Sequence, residues 1–209
     1  MDLSNITVNT QNSILIDFGK KIYIDPLDIA DATHDADYIF ITHDHYDHYS
    51  MPDIHKILDS KTVFIIPAPL EMSLRKSTPV GTQICVVPGQ QYETPDFTFE
   101  TVPAYNLTKS FHPKKAGWCG YIITIDGVRI YIAGDTDATK EAKEVKCDIA
   151  LIPIGGTFTM NYKEAAELIN KMKPKYAIPT HYGSFVGDQS DGEAFSKLVD
   201  KDIKVELKL

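Results

Sequence analysis

The sequence predicts an α/β chain, of the α+β kind, with two β-sheets packed face to face and helices on the outside. Three observations carry that prediction. The chain opens as a meander of short strands rich in Ile, Val and Tyr. Its helical segments each show one apolar face at i, i+3 and i+4 spacing, as a helix lying on a sheet requires. The second half then repeats the style of the first: hairpin, polar loop carrying Asp or His, helix.

The elements follow in order. Ile6-Thr7-Val8 and residues 13–17 read as strands joined by the polar Asn9-Thr10-Gln11-Asn12, and Phe18-Gly19-Lys20-Lys21 turns into Ile22-Tyr23-Ile24-Asp25-Pro26. Tyr38-Ile39-Phe40-Ile41 is apolar and short enough to be one buried strand. After it, Ser50 is placed to cap a helix, Pro52 suits its first turn, and Ile54, Ile57 and Leu58 give it an apolar face. Residues 62–66 form a buried strand, 70–76 a short surface helix, and 84–87 a strand ended by Pro88-Gly89. Residues 97–102 alternate like a half-buried strand and deliver Pro103-Ala104-Tyr105-Asn106.

In the second half, residues 121–125 and 128–132 flank Asp126-Gly127, a strong two-residue hairpin signal. The second of these strands ends at Ala133-Gly134-Asp135-Thr136-Asp137. Residues 148–153 make a buried strand leading to Gly155-Gly156, and Asn161 with Glu164 marks a capped helix start before Ala165, Leu168, Ile169 and Met172. Residues 176–180 are a strand that delivers His181, and a helix over 191–199 and a strand over 203–207 close the chain. With no linker or low-complexity tract, residues 1–209 are expected to form a single domain.

Composition narrows the function classes. A net charge of −8 with no lysine or arginine block longer than a doublet disfavours a nucleic-acid partner, because phosphate binding needs clustered positive charge. No apolar run approaches the roughly 18 residues of a membrane span. Met1-Asp2-Leu3-Ser4-Asn5 lacks the basic and apolar regions of a signal peptide. Cys85, Cys119 and Cys147 are odd in number, widely spaced and set in apolar runs, so free buried thiols in a reducing cytoplasm are expected. The expected partner is a small-molecule substrate; a homo-oligomer is left open.

The chemistry concentrates in Thr42-His43-Asp44-His45-Tyr46-Asp47-His48, which holds three of the seven histidines on a strand-to-helix loop. In extended backbone, residues two apart point the same way, so His43 and His45 can converge while Asp47 and His48 address a second point. Imidazole with carboxylate suits Zn, Fe, Mn or Ni better than Ca or Mg. Asp135, whose two oxygens can bridge cations, and His181 each follow an apolar strand and are candidate ligands on the same ground. Alone, either would read as a turn aspartate or a core histidine.

The order His-x-His-x-Asp-His, Gly-Asp-Thr-Asp and Pro-Thr-His-Tyr-Gly resembles the metallo-β-lactamase fold superfamily. Pro103-Ala104-Tyr105-Asn106, Phe111-His112-Pro113-Lys114 and Leu151-Ile152-Pro153-Ile154-Gly155-Gly156 are similar to its small cytosolic metal-dependent hydrolases, which include L-ascorbate-6-phosphate lactonase-like proteins. The resemblance implies a four-layer αββα sandwich of two mixed sheets with two divalent metal ions, most simply Zn, with Mn, Fe or Ni as alternatives. It implies that His43 and His45 hold one ion, that Asp47, His48 and His181 hold the other, and that Asp135 bridges them. The superfamily places a third histidine on the first ion where this chain reads Asn106. Either His112 supplies the imidazole, which is the favoured reading because an amide oxygen is a poor zinc ligand, or that ion is weakly held.

The expected reaction is hydrolysis of a small ester, lactone or phosphoester by a metal-activated water, with Asp47 as proton acceptor. Asn106 and Lys114 are candidate substrate contacts. Asp25, Tyr182, His34 and His55 are lesser candidates, the last two expected at the surface. A phosphodiesterase or nuclease of the same fold, and a metal-binding protein without turnover, are the alternatives.

Overall fold

In the computed structural model, residues 3–77 and 81–209 are described; Met1 and Asp2 of the N-terminal stretch lie outside them. Two mixed β-sheets flanked by helices make up the chain, one in each of two compact units, Met1–Val87 and Pro88–Leu209.

The first unit holds a six-stranded sheet in the order β1-β2-β3-β4-β5-β6. Its strands are β1 (Ile6–Thr10), β2 (Ser13–Asp17), β3 (Lys21–Ile24), β4 (Tyr38–Phe40), β5 (Val63–Pro67) and β6 (Thr82–Val86). The predicted meander is there, β1 against β2 and β2 against β3, both antiparallel. From β3 to β6 every pair is parallel, so these strands end on one edge of the sheet. Parallel neighbours need a crossover between them, and α1 (Met51–Ile57) and α2 (Glu71–Ser77) supply two of these. Ile54 and Ile57 of α1 are fully buried, as their spacing predicts. Ser50 stands at the N-cap of α1 but accepts no capping bond. Its hydroxyl donates to Asp53 Oδ2 at 2.7 Å, and that carboxylate also accepts the backbone N–H groups of Asp28 and Ile29.

The second unit holds a seven-stranded sheet in the order β13-β12-β11-β10-β9-β8-β7. These are β7 (Gln91–Glu93), β8 (Thr98–Pro103), β9 (Cys119–Ile125), β10 (Val128–Ile132), β11 (Ile149–Pro153), β12 (Tyr176–Thr180) and β13 (Lys204–Val205). β7 to β10 pair antiparallel and β10 to β13 parallel. In the β9–β10 hairpin, Asp126 and Gly127 sit at φ 49° and 77°, the positive pair that a type I′ turn demands. The expected strand over 203–207 shrinks to the two residues of β13, which pairs only with Tyr176 and Ala177. Pro179, lacking an N–H, lies beyond that pairing, where no β13 partner needs one.

Three helices accompany this sheet: α3 (Lys140–Glu144), α4 (Tyr162–Met172) and α5 (Asp191–Leu198). α4 starts with the predicted capping box: Asn161 Oδ1 accepts from Lys163 N and Glu164 N, and Asn161 N donates back to Glu164. Its Ala165, Leu168, Ile169 and Met172 are buried in the core of this unit beside Ala150, Ile152 and Phe195. All three cysteines are free thiols, and burial pushes Cys119 and Cys147 up to about 12. α3 and β7 were not foreseen. Lys140 to Glu144 shows too few apolar positions for a period, and β7 is a three-residue polar edge strand.

Candidate functional site

Within each unit the chemical side chains follow the C-terminal ends of strands that run the same way. Asp25 follows β3 and the histidine loop follows β4; Asp135 follows β10 and His181 follows β12. Loops at the carboxyl ends of parallel strands meet along one edge, which is where open α/β sheets collect ligands.

In the first unit the organiser is Asp25, fully buried and held at φ 46°. Ile24 pairs with Phe40, so the residues just past both strand ends are neighbours. Asp25 Oδ1 accepts from Thr42 N at 2.8 Å. Its Oδ2 accepts from Thr42 Oγ1 at 2.6 Å and Asn12 Nδ2 at 2.8 Å, and lies 2.7 Å from His48 Nδ1. A carboxylate can only accept, so His48 Nδ1 carries its proton and Nε2 presents a lone pair. That Nε2 lies 3.5 Å from Asp47 Oδ2. The Thr42 hydroxyl spends its proton on Asp25 and lies 3.0 Å from His43 Nδ1, which fixes His43 in the same tautomer.

His43 meets His45 edge-on with ring centroids 4.5 Å apart, as alternation in extended backbone predicts. His48 returns to 4.0 Å from His43 because His48 N and Tyr49 N both bond His45 O, closing a tight turn. The loop thus gathers ring nitrogens of His43, His45 and His48 and a carboxylate oxygen of Asp47. The His43–His45, His43–His48 and Asp47–His48 pairs each lie within 4.8 Å. Asp44 is exposed, and Tyr46 is 72 % exposed. His34 and His55 are surface residues, His34 with Nδ1 on Leu58 O.

In the second unit three separate loops supply the site. Asp135 places Oδ2 3.3 Å from His112 Nε2 and Oδ1 3.4 Å from His181 Nε2, and all three residues are buried. His181 is held at φ 58°, a conformation that costs a side-chain-bearing residue on the order of 1–3 kcal/mol unless its surroundings impose it. Part of the imposition is visible: a Cβ built on Gly155 would overlap the His181 carbonyl oxygen, so only glycine lets the two backbones approach.

His112 belongs to a loop closed by Asn106 N donating to His112 O at 2.8 Å. The Asn106 amide reaches His112 at one end and Asp137 and Phe158 O at the other. Lys114 forms a 2.7 Å ion pair with Glu141, lies 3.3 Å from the Tyr105 hydroxyl and stands 4.6 Å above the Tyr105 ring. The hydrogen bond from Lys114 holds the Glu141 carboxyl down at about 2. Tyr182 is buried, and burial raises its phenol.

Sequence reasoning placed Asp25 behind the ligand candidates, where it stands against His48, and missed Asn12, Lys109 and Asp137. Asp137 stands two residues past Asp135 in a four-residue motif, and Asp25 follows a strand as His43, Asp135 and His181 do. Those signals were on the chain; Asn12 and Lys109 left none.

These two sets of imidazoles and carboxylates, on mixed sheets flanked by helices, define a metallohydrolase-type protein of the metallo-β-lactamase fold. The family model described as "Beta-lactamase superfamily domain" matches residues 5–181, so the chain belongs to that superfamily, and its relatives above 30 % identity place it among the metal-dependent hydrolases. A UPF0173 metal-dependent hydrolase of Pyrococcus furiosus is 32 % identical over 204 residues, 91 % of this chain and 89 % of the relative. One of Thermococcus onnurineus is 34 % identical, covering 87 % and 85 %. Among solved structures, a protein of Parabacteroides distasonis described as a metal-dependent hydrolase has a TM-score of 0.84 at 34 % identity, covering 98 % of this chain and 92 % of that one. Igni18, a metallo hydrolase of Ignicoccus hospitalis, shares the fold with a TM-score of 0.80 at 24 % identity, over 97 % and 93 %. No helix among the described residues is long and apolar enough to cross a membrane.

Proposed function

We propose that the protein hydrolyses a small ester, lactone or phosphoester using two divalent metal ions, zinc first among them. The proposed ligands are His43, His45, Asp47 and His48 from the first unit and His112, Asp135 and His181 from the second. The observation that carries the reading is Asp135, whose two oxygens each stand within 3.4 Å of a different imidazole Nε2. The donor chemistry fits: neutral imidazoles fixed through Nδ1, with carboxylates beside Nε2, suit zinc, and Mn, Fe or Ni could take the same set.

When bound, such ions act as Lewis acids that polarise a substrate oxygen and lower the pKa of water toward about 7. Asp47 is the proposed proton acceptor, its carboxylate beside the His48 ring. Asp25 fixes which nitrogen of His48 is the donor atom, and Thr42 does the same for His43. Neither Asn106 nor Lys114 is assigned to substrate, since each is engaged by neighbours within its own unit. The net charge of −8 places a polyanionic nucleic acid outside the proposal. Residues 1–209 are read as one catalytic domain of a cytoplasmic enzyme.

The test is metal analysis of freshly purified protein, followed by turnover of p-nitrophenyl acetate, a γ-lactone and bis(p-nitrophenyl) phosphate before and after chelation. Bound metal is expected, with activity lost on chelation and restored by zinc. His45→Ala should abolish turnover, and Asp47→Asn should lower kcat about 10²–10⁴-fold. Full activity in metal-free protein would overturn the proposal.

A further inference from the structure

Asn106 occupies the place where the resemblance calls for a metal-binding histidine, and the structure gives its amide a different task. Oδ1 accepts from His112 N at 3.0 Å and lies 3.0 Å from His112 Nδ1. Nδ2 donates to Phe158 O at 2.8 Å and to Asp137 Oδ1 at 3.2 Å. Both neighbours of Nδ2 are proton-free acceptors and the His112 amide is a pure donor, so the chemistry of the partners sets which end is oxygen. An amide oxygen cannot donate, so His112 Nδ1 must carry the proton. Its Nε2 then keeps the lone pair, 3.3 Å from Asp135 Oδ2.

The brace extends one step further. Asp137 is buried and also accepts from Leu107 N at 2.8 Å and Lys109 Nζ at 2.7 Å, so its charge is matched and its position fixed. We propose that Asn106, braced by Asp137 and Phe158 O, is a positioning residue. It selects the Nδ1–H tautomer and the ring orientation of His112, making Nε2 the metal-binding atom. The inference rests on the reading of His112 as a ligand. An aspartate at 106 could still accept from His112, but it would set a second carboxylate against Asp137 and lose both donations. The amide is therefore required, and not merely an acceptor.

The experiment uses the full-length chain, freed of metal by chelation. Long-range ¹H–¹⁵N correlation of the histidine rings reads the tautomer, and competition with a chromophoric chelator reads zinc affinity. Native protein should show His112 protonated at Nδ1. Asn106→Leu should populate the Nε2–H form and weaken zinc binding about 10–100-fold, the range seen when a partner of a metal-bound histidine is removed. Asn106→Asp should also weaken it, and the double variant Asn106→Asp with Asp137→Asn, which restores an amide–carboxylate pair, should recover part of the loss. If Asn106→Leu does not fold, Asn106→Ser, which shortens the arm, replaces it.

An unchanged tautomer with zinc affinity within twofold of native in a folded variant would overturn the inference. Should His112→Ala weaken zinc while the Asn106 variants do not, only this inference falls. Should His112→Ala leave zinc unaffected, the assignment of His112 as a ligand falls and takes the inference with it.

Discussion

The two units arrive at similar chemistry by opposite routes. The first builds its set from one stretch of six residues, His43 to His48, and steadies it with one carboxylate, Asp25, that takes four donor contacts. The second draws His112, Asp135 and His181 from three loops far apart in sequence and steadies His112 through a chain, Asn106 to Asp137 to Lys109. A contiguous site can lean on a single buried point because its members move together. A dispersed one needs ties between loops, so its bracing is spread over more residues, each contributing less.

That contrast predicts unequal costs. Asp25→Ala leaves buried donors without their acceptor and should destabilise the protein by about 3–5 kcal/mol in urea unfolding; a loss below about 1 kcal/mol would break the single-point account. Asp137→Ala should cost less, about 1–3 kcal/mol, because Lys109 can return to solvent. Equal losses for the two variants would erase the distinction. Asn161→Ala, which removes the α4 cap but no hydrogen bond to a proposed ligand, should cost about 1 kcal/mol and leave zinc affinity unchanged. A change in affinity would show that α4 is part of the bracing.

The smallest effect is expected at Tyr105–Lys114–Glu141, which ties the loop of Asn106 to α3 without touching the Asn106 side chain. Glu141 should titrate near 2 by NMR, below its ordinary 4.5, and move up in Lys114→Met. Because the folded value is depressed, the pair's contribution to stability is complete above about 4.5 and fades as pH falls through about 2. The Lys114→Met variant should leave the His112 tautomer as it was.

What the sequence made legible follows the same divide. The His43–His48 loop announced itself because its candidate ligands share one strand end, and the β9–β10 hairpin and the α4 capping box were readable because their signals span four residues or fewer. Asp135 and His181 could be named only once joined to that loop. The Asn106–Asp137 contact spans 31 residues and the Asn106–Phe158 contact 52, distances at which no local pattern survives. Ser50 shows the converse: it stands at the predicted N-cap, yet its side chain accepts no capping bond and its hydroxyl donates to Asp53.

The tight approach at Gly155 gives a handle on the last histidine that needs no change to it. Since the neighbouring backbone leaves no room for even a methyl group there, Gly155→Ala would push on the His181 carbonyl and shift the whole residue while its imidazole stays chemically intact. Such a variant would separate where that ring stands from what it is, a distinction that deleting the side chain can never draw.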